Sequence, residues 1–593
     1  MLRLRKAIYA ALTRSLLRTK SLLQTILNIW ISPVILRSKK HRSSTSSIKK
    51  TAREFLDEIE TLFRGPTNRL PLLALSDGMK KQLEECLLDN RWCMLPSYNS
   101  ELPTGNESGT FLALDVGGST FRVALIELSG GENGAQESKI LGRGTFKIDN
   151  PVRKLEGKAF FEWMADRIDE ILSGQLAGYG TSKSPLLMGL AWSFPIEQTS
   201  LRSGRIQGMG KGFLAAKGLF GQDLGDIIQE ACSKKGLNLE LLAIVNDSSA
   251  CLLSKAYHDP STRFGLILGT GVNAAVHLPV HLFSPAKFGE RPQSWLDSAT
   301  HVIVNSELSM FGSGLLPLTR FDEDLLAVHP NPTFQPLEHL VSGGYLGEIM
   351  RLVLIEGIQT AGLFGGVVPP SLTKPYSLDT QTMSLIEADT STNLKTATSV
   401  FTTAHPTNTP PTKSDIKALR TIASHVSYRA SALIAAGVHA LWLLHIQGEA
   451  NDTPTSPLTL NINTNAAPGT ITPDSNPDDD DNDDATKTIT TATTTDSGAK
   501  PTKSIVVATT TVLPPPDVTT PPPAMADILP PGKMLVAYNG SVLENYPQFR
   551  INCQRHLDVL VEATGGEKGS LELEAAVESS LLGAAVAAAV ARV

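Results

Sequence analysis

Hydrophobic positions in this chain fall into short apolar runs that stop abruptly at glycine, asparagine or aspartate. Phe111-Leu112-Ala113-Leu114 and Val123-Ala124-Leu125-Ile126 flank Asp115-Val116-Gly117-Gly118-Ser119-Thr120, which predicts strand, Gly-Gly turn, strand. Ala243-Ile244-Val245 ends in Asn246-Asp247-Ser248-Ser249, and Phe264 to Leu268 runs into Gly269-Thr270-Gly271-Val272-Asn273-Ala274. Further periodicity predicts a helix near Ile48–Leu62, a helix over Asp415–Gln447 and a strand over Met534–Tyr538. Buried strands alternating with helices make an α/β architecture. No internal repeat is visible in the sequence.

Two of these runs place chemistry at strand ends. Open α/β sheets bind ligands beyond the carboxyl ends of their strands, where Asn246 and Asp247 would lie. Spaced glycines let backbone N–H groups approach a phosphate closely, which suits both Gly117-Gly118 and Gly269-Thr270-Gly271. An acid beside a phosphate cradle suggests phosphoryl transfer to a hydroxyl, with the acid taking the proton. Asp115 would reach Mg2+ through water. Taken alone, the first segment also reads as an ordinary hairpin, and Asp247 as the N-cap of a helix starting near Ser248.

The motifs resemble those of the hexokinases, sugar kinases of the actin-like ATPase fold. Leu114-Asp115-Val116-Gly117-Gly118-Ser119-Thr120-Phe121-Arg122 is similar to the family's first phosphate motif. Gly189 to Pro195 with Lys211-Gly212-Phe213 resembles its sugar signature. Val304-Asn305-Ser306-Glu307 with Phe311-Gly312, and Glu338 to Glu348, resemble two further segments. Ser427-Tyr428-Arg429-Ala430-Ser431 resembles a helical element, and Asn539-Gly540-Ser541-Val542 with Tyr546-Pro547-Gln548-Phe549 the adenosine-side element. The likeness runs from about residue 51 to the C-terminus in the family's order, with one interruption.

The resemblance implies a two-lobed (ribonuclease H-like) fold with a ligand cleft between a small and a large lobe. It divides the chain into a part at 51–247 that includes the small lobe and a large-lobe part at 248–593. It implies a hexose, glucose foremost, held by Ser193, Lys211, Asn246, Asp247, Asn273, Glu307 and Glu338. Asp247 would be the general base for the 6-hydroxyl, and Lys211 would offset charge on the transferring phosphoryl. ATP with Mg2+ would lie against Asp115, Gly117, Gly118, Ser119, Thr120, Arg122, Gly269, Thr270, Gly271, Gly540 and Ser541. Read by themselves, Glu307 and Glu338 are equally well solvated surface acids.

Some positions depart from the family pattern. The usual Thr before the sugar-site lysine is Gly210, the Thr-Asn after Gly-Gly is Ser119-Thr120, and the adenosine-side Asp is Asn539. The C-terminal glycine-rich loop reads Ser579-Ser580-Leu581-Leu582-Gly583-Ala584-Ala585. The sugar side is therefore the better kept, and a non-catalytic sugar-sensing regulator, as ascribed to some divergent fungal relatives, is the alternative reading.

Composition narrows the picture further. A net charge of −6 gives no reason to expect nucleic-acid binding. No P-loop occurs, and the five cysteines lack metal-ligand spacing and fit a reducing compartment. Residues 1–50 carry twelve Lys/Arg and no acid, and the apolar run from Leu22 to Leu36 is shorter than the roughly 18 residues of a membrane span. This pattern resembles a mitochondrial presequence or a peripheral membrane anchor on an otherwise cytoplasmic enzyme. Residues 450–531 are rich in Thr, Pro and Asp without apolar period, which predicts a solvated insertion in the large lobe. A monomer is expected.

Overall fold

The computed structural model describes residues 50–131, 138–174, 179, 184–209, 212–407, 409–452 and 532–592. The predicted targeting segment before Lys50, residues 453–531 of the predicted insertion, and Gly210 and Lys211 lie outside the described residues.

The chain opens with α1 (Ala52–Arg64) and α2 (Arg69–Cys86), then a short strand β1 (Leu95–Pro96). The first lobe follows as β2 (Gly109–Val116), β3 (Thr120–Leu128), β4 (Lys139–Lys147), α3 (Lys158–Ser173) and β5 (Leu186–Trp192). A two-stranded ribbon, β6 (Ile196–Gln198) and β7 (Gly204–Ile206), precedes α4 (Leu224–Lys234) and β8 (Leu239–Val245). The chain then runs through α5 (Asp247–His258), β9 (Thr262–Leu268), β10 (Val272–Pro279) and β11 (His301–Asn305). It continues with α6 (Leu346–Ala361), α7 (Lys413–Asp452), β12 (Met534–Asn539), α8 (Phe549–Ala563), β13 (Leu571–Ala575) and α9 (Ser579–Val590).

These strands form two sheets built to one plan. The first has the order β4-β3-β2-β5-β8, and the second β1-β11-β10-β9-β12-β13. In each, three strands meander antiparallel and two more add in parallel on the side of the first strand. The Gly117-Gly118 turn joins the first two strands of one sheet, and Gly269-Thr270-Gly271 joins the first two of the other. A structural repeat is thus present that the sequence does not display. Strand pairing fixes the plan through backbone hydrogen bonds, so the two copies need share only the pattern of apolar runs and turns.

Each lobe has its own apolar core. Phe160, Phe161, Met164 and Ile168 of α3 and Leu224, Ile227 and Ile228 of α4 cover one face of the first sheet. In the other lobe α1, α2, α6 and α7 enclose one face of the second sheet around Phe55, Met79, Met350 and Leu433. The helix α7 is long and apolar enough to cross a membrane, yet 94% of its most apolar window is buried inside the fold, which makes it a core helix.

Three sequence expectations are corrected here. The N-terminal helix begins at Ala52, not near Ile48, because Thr51 and Glu54 form a reciprocal capping box at its start. The α7 helix extends beyond Asp415–Gln447 at both ends. The last helix does not belong to the large lobe as the 248–593 boundary implies: α9 packs on β2, β5 and β8 of the first sheet and on α5. Two glycines permit this approach. A Cβ on Gly189 of β5 would sit 1.9 Å from the Ala584 carbonyl oxygen, and one on Gly583 would sit 2.0 Å from that of Ala250. Helix, strand and helix therefore touch backbone to backbone, and α9 is buried almost all round.

Candidate active site

The carboxyl ends of several strands deliver polar side chains to one place. Trp192 closes β5, and the next residue, Ser193, donates its N–H to the Val116 carbonyl at 3.2 Å. β8 ends at Val245, and Asn246 and Asp247 start α5 directly afterwards. Asn246 is the N-cap, its Oδ1 accepting from Ser248 N at 2.9 Å. The capping role considered for Asp247 belongs to its neighbour, which leaves the Asp247 side chain for other contacts.

Asp247 Oδ1 accepts from Ser248 N at 2.8 Å, and Ser193 Oγ donates to Asp247 Oδ2 at 3.4 Å. The acid is thus clamped on one oxygen and touched by a hydroxyl on the other. It stands in the first turn of α5, where the helix dipole favours a negative charge.

A chain of side-chain amides leads away from it. Asn273 Nδ2 donates to Asn246 Oδ1 at 3.3 Å and to Asn305 Oδ1 at 2.8 Å. Asn305 Nδ2 in turn donates to Glu307 Oε1 at 2.9 Å. Glu307 adopts a left-handed backbone, φ 54°, an uncommon conformation for a non-glycine residue. Glu338 is held from the backbone, its Oε2 accepting from Val272 N at 2.9 Å. A Cβ on Gly271 would lie 2.6 Å from that same oxygen, so the contact requires glycine there.

The acids feel one another. Burial pushes the Glu307 carboxyl upward; the Asn305 hydrogen bond opposes this, and the negative charges of Asp247 and Glu338 reinforce it. Burial raises Asp115 to about 6, against the pull of its ion pair with Arg122, and the Asp247 charge adds to the rise. Such a concentration of buried negative charge calls for hydroxyl donors or cations as occupants.

The glycine turns are held from behind. Gly117 N donates to the Thr120 carbonyl at 3.0 Å, and the Ser119 carbonyl accepts from Ile148 N at 2.8 Å. Arg153 Nη2 donates to the Gly118 carbonyl at 2.9 Å. On the other lobe, the Gly269 and Thr270 carbonyls accept from Gly343 N at 2.8 Å and Gly344 N at 3.1 Å. Gly540 (φ 116°) presses on β9, where a Cβ would sit 2.4 Å from the Leu268 carbonyl oxygen, and Ser541 lies beside Gly269. Asn539 Nδ2 donates to Glu544 Oε1 at 2.8 Å.

The adenosine-side segment identified in the sequence is anchored to the core through a buried cluster. Tyr546 Oη donates to Glu387 Oε2 at 2.7 Å, and Ser427 Oγ of α7 donates to the same oxygen at 3.0 Å. Burial raises Glu387 from its ordinary 4.5 to about 7, despite these two hydrogen bonds. The folded chain therefore holds a proton here that the unfolded chain has lost between those two values. This group's contribution to stability is full below about pH 4.5 and falls as pH rises through 7, by on the order of 3 kcal/mol. Glu387→Gln keeps the protonated shape and should flatten that part of the profile. Urea midpoints of both proteins at pH 5 and pH 8 check it: the wild type should lose more than the variant, and equal losses would refute the assignment.

Of the residues singled out from sequence, Ser193 bonds Asp247, and Asn246 and Asn273 are joined through Asn305 to Glu307; Glu338, held by Val272 N, bears on Glu307 by its charge, while Lys211 lies outside the described residues. Asp115 and Arg122 form a pair, opposite one another across β2 and β3. The bridging role of Asn305 was missed, although it stands two places before Glu307 in a quoted motif. Arg153 was missed with no local signal available, because it meets Gly118 across 35 residues of chain. The reading of Ser579–Leu582 as a loop with its glycines replaced is also corrected: these residues begin the buried helix α9, and Glu578, with a left-handed backbone (φ 49°), precedes it.

Comparison with known proteins agrees with this architecture. A family model described as hexokinase matches residues 55–257, and a second of the same description matches 263–463 and 523–590. The break between 463 and 523 falls inside the Thr/Pro/Asp-rich stretch. Hexokinase-5 of Oryza sativa subsp. japonica is 32% identical over 403 residues, covering 66% of this chain and 76% of the relative. A Nicotiana tabacum protein named "Hexokinase-2, chloroplastic" is 33% identical over 357 residues, 58% of this chain and 67% of the relative. A solved hexokinase of Schistosoma mansoni, described as complexed with glucose, shares the fold with a TM-score of 0.65 at 22% identity, over 91% of this chain and 100% of that one. The chain belongs to the hexokinase family.

Proposed function

We propose that this hexokinase-family phosphotransferase moves the γ-phosphoryl group of ATP to the 6-hydroxyl of a hexose, with glucose as the preferred acceptor. The observation that carries the reading is the strand-end network in which Asp247, steadied by Ser248 N and touched by Ser193, adjoins Asn246, Asn273, Asn305, Glu307 and Glu338. Amides and carboxylates at such density match the hydroxyls of a sugar, and a site built this way rejects analogues that lack them. Asp247 accepts the proton of the attacking hydroxyl as general base. Ser193, Asn246, Asn273, Glu307 and Glu338 orient the ring, and Lys211 neutralises charge on the moving phosphoryl.

The glycine turns 117–118 and 269–271 with Gly540 and Ser541 hold the nucleotide through backbone N–H groups that approach its phosphates closely. Mg2+, when bound with the phosphates, offsets their charge. Asp115 is the acid that would meet it through water, next to Arg122. The retained acids and amides favour turnover over a purely sensing role.

Calorimetric titration of glucose and of ATP-Mg2+ into one preparation tests the reading. Loss of one neutral hydrogen bond at Gly210 weakens hexose binding only about three- to tenfold. The changes at Thr120 and Asn539 accumulate on the nucleotide side, so ATP should bind more weakly relative to an ordinary family member. Tight ATP binding with no detectable hexose binding would overturn it.

The acid-free basic segment 1–50 is further proposed to address the protein to a mitochondrial surface or matrix, on its twelve Lys/Arg. A fluorescent reporter carrying residues 1–50 should collect on mitochondria, and diffuse fluorescence would contradict this.

A further inference from the structure

Two segments of the first lobe meet on one side chain. After β4 the chain makes a tight helical turn, Asn150–Arg153, with Pro151 near its start and Asp149 Oδ1 accepting from Val152 N at 3.2 Å. Arg153 ends that turn. Its Nη2 donates to the Gly118 carbonyl at 2.9 Å, while Ile148 N holds the next carbonyl, that of Ser119, at 2.8 Å. Two successive carbonyls of the 117–118 turn are thus taken up by one short stretch of chain. A trans peptide is planar, with its N–H opposite its carbonyl, so fixing the Gly118 oxygen aims Ser119 N–H away from the guanidinium. Carbonyls drawn back and an N–H turned outward form the arrangement an anion needs.

The same residue holds a second segment. The Arg153 main-chain carbonyl accepts from Leu214 N at 2.9 Å, and its guanidinium carbon lies 5.7 Å from the centre of the Phe213 ring. Phe213 packs in turn on Phe194, ring centres 4.9 Å apart, and Phe194 follows Ser193 in the chain. Lys217 and Glu156 close the same seam with an ion pair at 2.8 Å. Phe213 and Leu214 stand two and three places after Lys211, so the stretch that brings in this lysine is moored to Arg153 directly afterwards. No acid among the described residues takes up the Arg153 charge, whereas Arg122, near the same turn, is paired with Asp115. Arg153 Nε is buried without a hydrogen-bond partner among the described residues. An unpaired buried donor costs stability, so an arginine kept only to brace the fold would gain by pairing it.

We propose that Arg153 is a positioning residue that joins the two halves of the site. It sets the 117–118 turn for the nucleotide phosphates and the stretch after Lys211 for the hexose, so each ligand strengthens the binding of the other. The inference rests on the proposed function and names a residue which that reading leaves out. Phosphate on the turn fixes the peptide between Gly118 and Ser119, and with it the side chain of Arg153. Hexose drawing on Lys211 fixes Phe213 and Leu214 against the same residue. Whichever ligand binds first orders part of what the second needs, and the second then binds with less ordering left to do. Linkage makes the effect equal in both directions.

Calorimetry of the full chain tests this with glucose and with the magnesium complex of adenylyl imidodiphosphate, an ATP analogue that is not turned over. In the wild type each ligand should tighten the other about tenfold, within the range that coupling between sites commonly spans. Arg153→Met cuts the bond to Gly118 but keeps an unbranched stem over Phe213 and the main-chain bond to Leu214. Glucose alone should bind this variant within about threefold of wild type, while the mutual factor falls below about twofold. Arg153→Lys offers an ammonium to the Gly118 carbonyl and should restore the factor to about threefold or more. A purely structural arginine would weaken both ligands in Arg153→Met and leave their mutual factor unchanged. Independent binding of the two ligands to the wild type, a factor that survives in Arg153→Met, or one that Arg153→Lys fails to restore would each overturn the inference. The wild-type measurement decides even where a variant folds poorly. A wild type that binds no glucose or no nucleotide refutes the proposed function and this inference with it, whereas binding of both without coupling refutes the inference alone.

Discussion

Asp247→Ala should lower kcat about 10²- to 10⁴-fold while glucose affinity changes no more than about tenfold, the range expected when a general base is lost from an otherwise intact pocket. The split follows from the network. Asn246, Asn273, Asn305 and Glu307 bond to one another and not through Asp247. Removing the Asp247 carboxylate leaves that chain in place and also relieves the negative charge that bears on Glu307 and Asp115. Ground-state binding is therefore largely kept, and the loss appears in turnover. Steady-state kinetics with a glucose titration of the same variant separates the two. Unchanged kcat would refute the role of Asp247.

Arg429→Met should cost about 3–5 kcal/mol of stability, the largest single effect expected outside the site. Arg429 and Asp322 form a two-pronged pair, Nη1 to Oδ2 at 2.6 Å and Nη2 to Oδ1 at 2.8 Å, with side chains 0% and 1% exposed. Burial works to raise the Asp322 carboxyl, and Arg429 overrides it and holds the acid low. Without the guanidinium, a buried carboxylate is left with only its capping bonds to Thr319. Replacing both partners with apolar residues should recover most of the loss, less about 1 kcal/mol for the cap that Asp322 completes. Urea denaturation of the single and double variants checks both statements; a single variant within about 1 kcal/mol of wild type would refute the first.

Arg429 also shows where sequence reading stops. It stands in a motif that the family resemblance brings out, but its partner lies 107 residues away, so its structural role has no local signature. Motifs at strand ends are easier to read. Val245-Asn246-Asp247 shows where a strand stops and what it delivers, and the structure brings that acid beside Ser193 and the two glutamates. The plan of the two sheets is not legible, because pairing is written in backbone hydrogen bonds and the two copies share only punctuation by glycine. The destination of α9 is hidden for a different reason. A helix of Leu, Ala and Val on every side presents no preferred face, and only the close approaches at Gly189 and Gly583 fix its place on the first sheet. Glu578 defeats motif reading as well, since it takes a left-handed conformation that a non-glycine residue seldom adopts.

The most direct test of the account is a coupled assay of the full chain with ATP-Mg2+ and glucose, fructose, mannose and N-acetylglucosamine in turn. ADP release should depend on hexose, with glucose giving the highest kcat/KM and the sugar 6-phosphate as product. ADP formation that no hexose stimulates, in a protein that binds ATP-Mg2+, would contradict it.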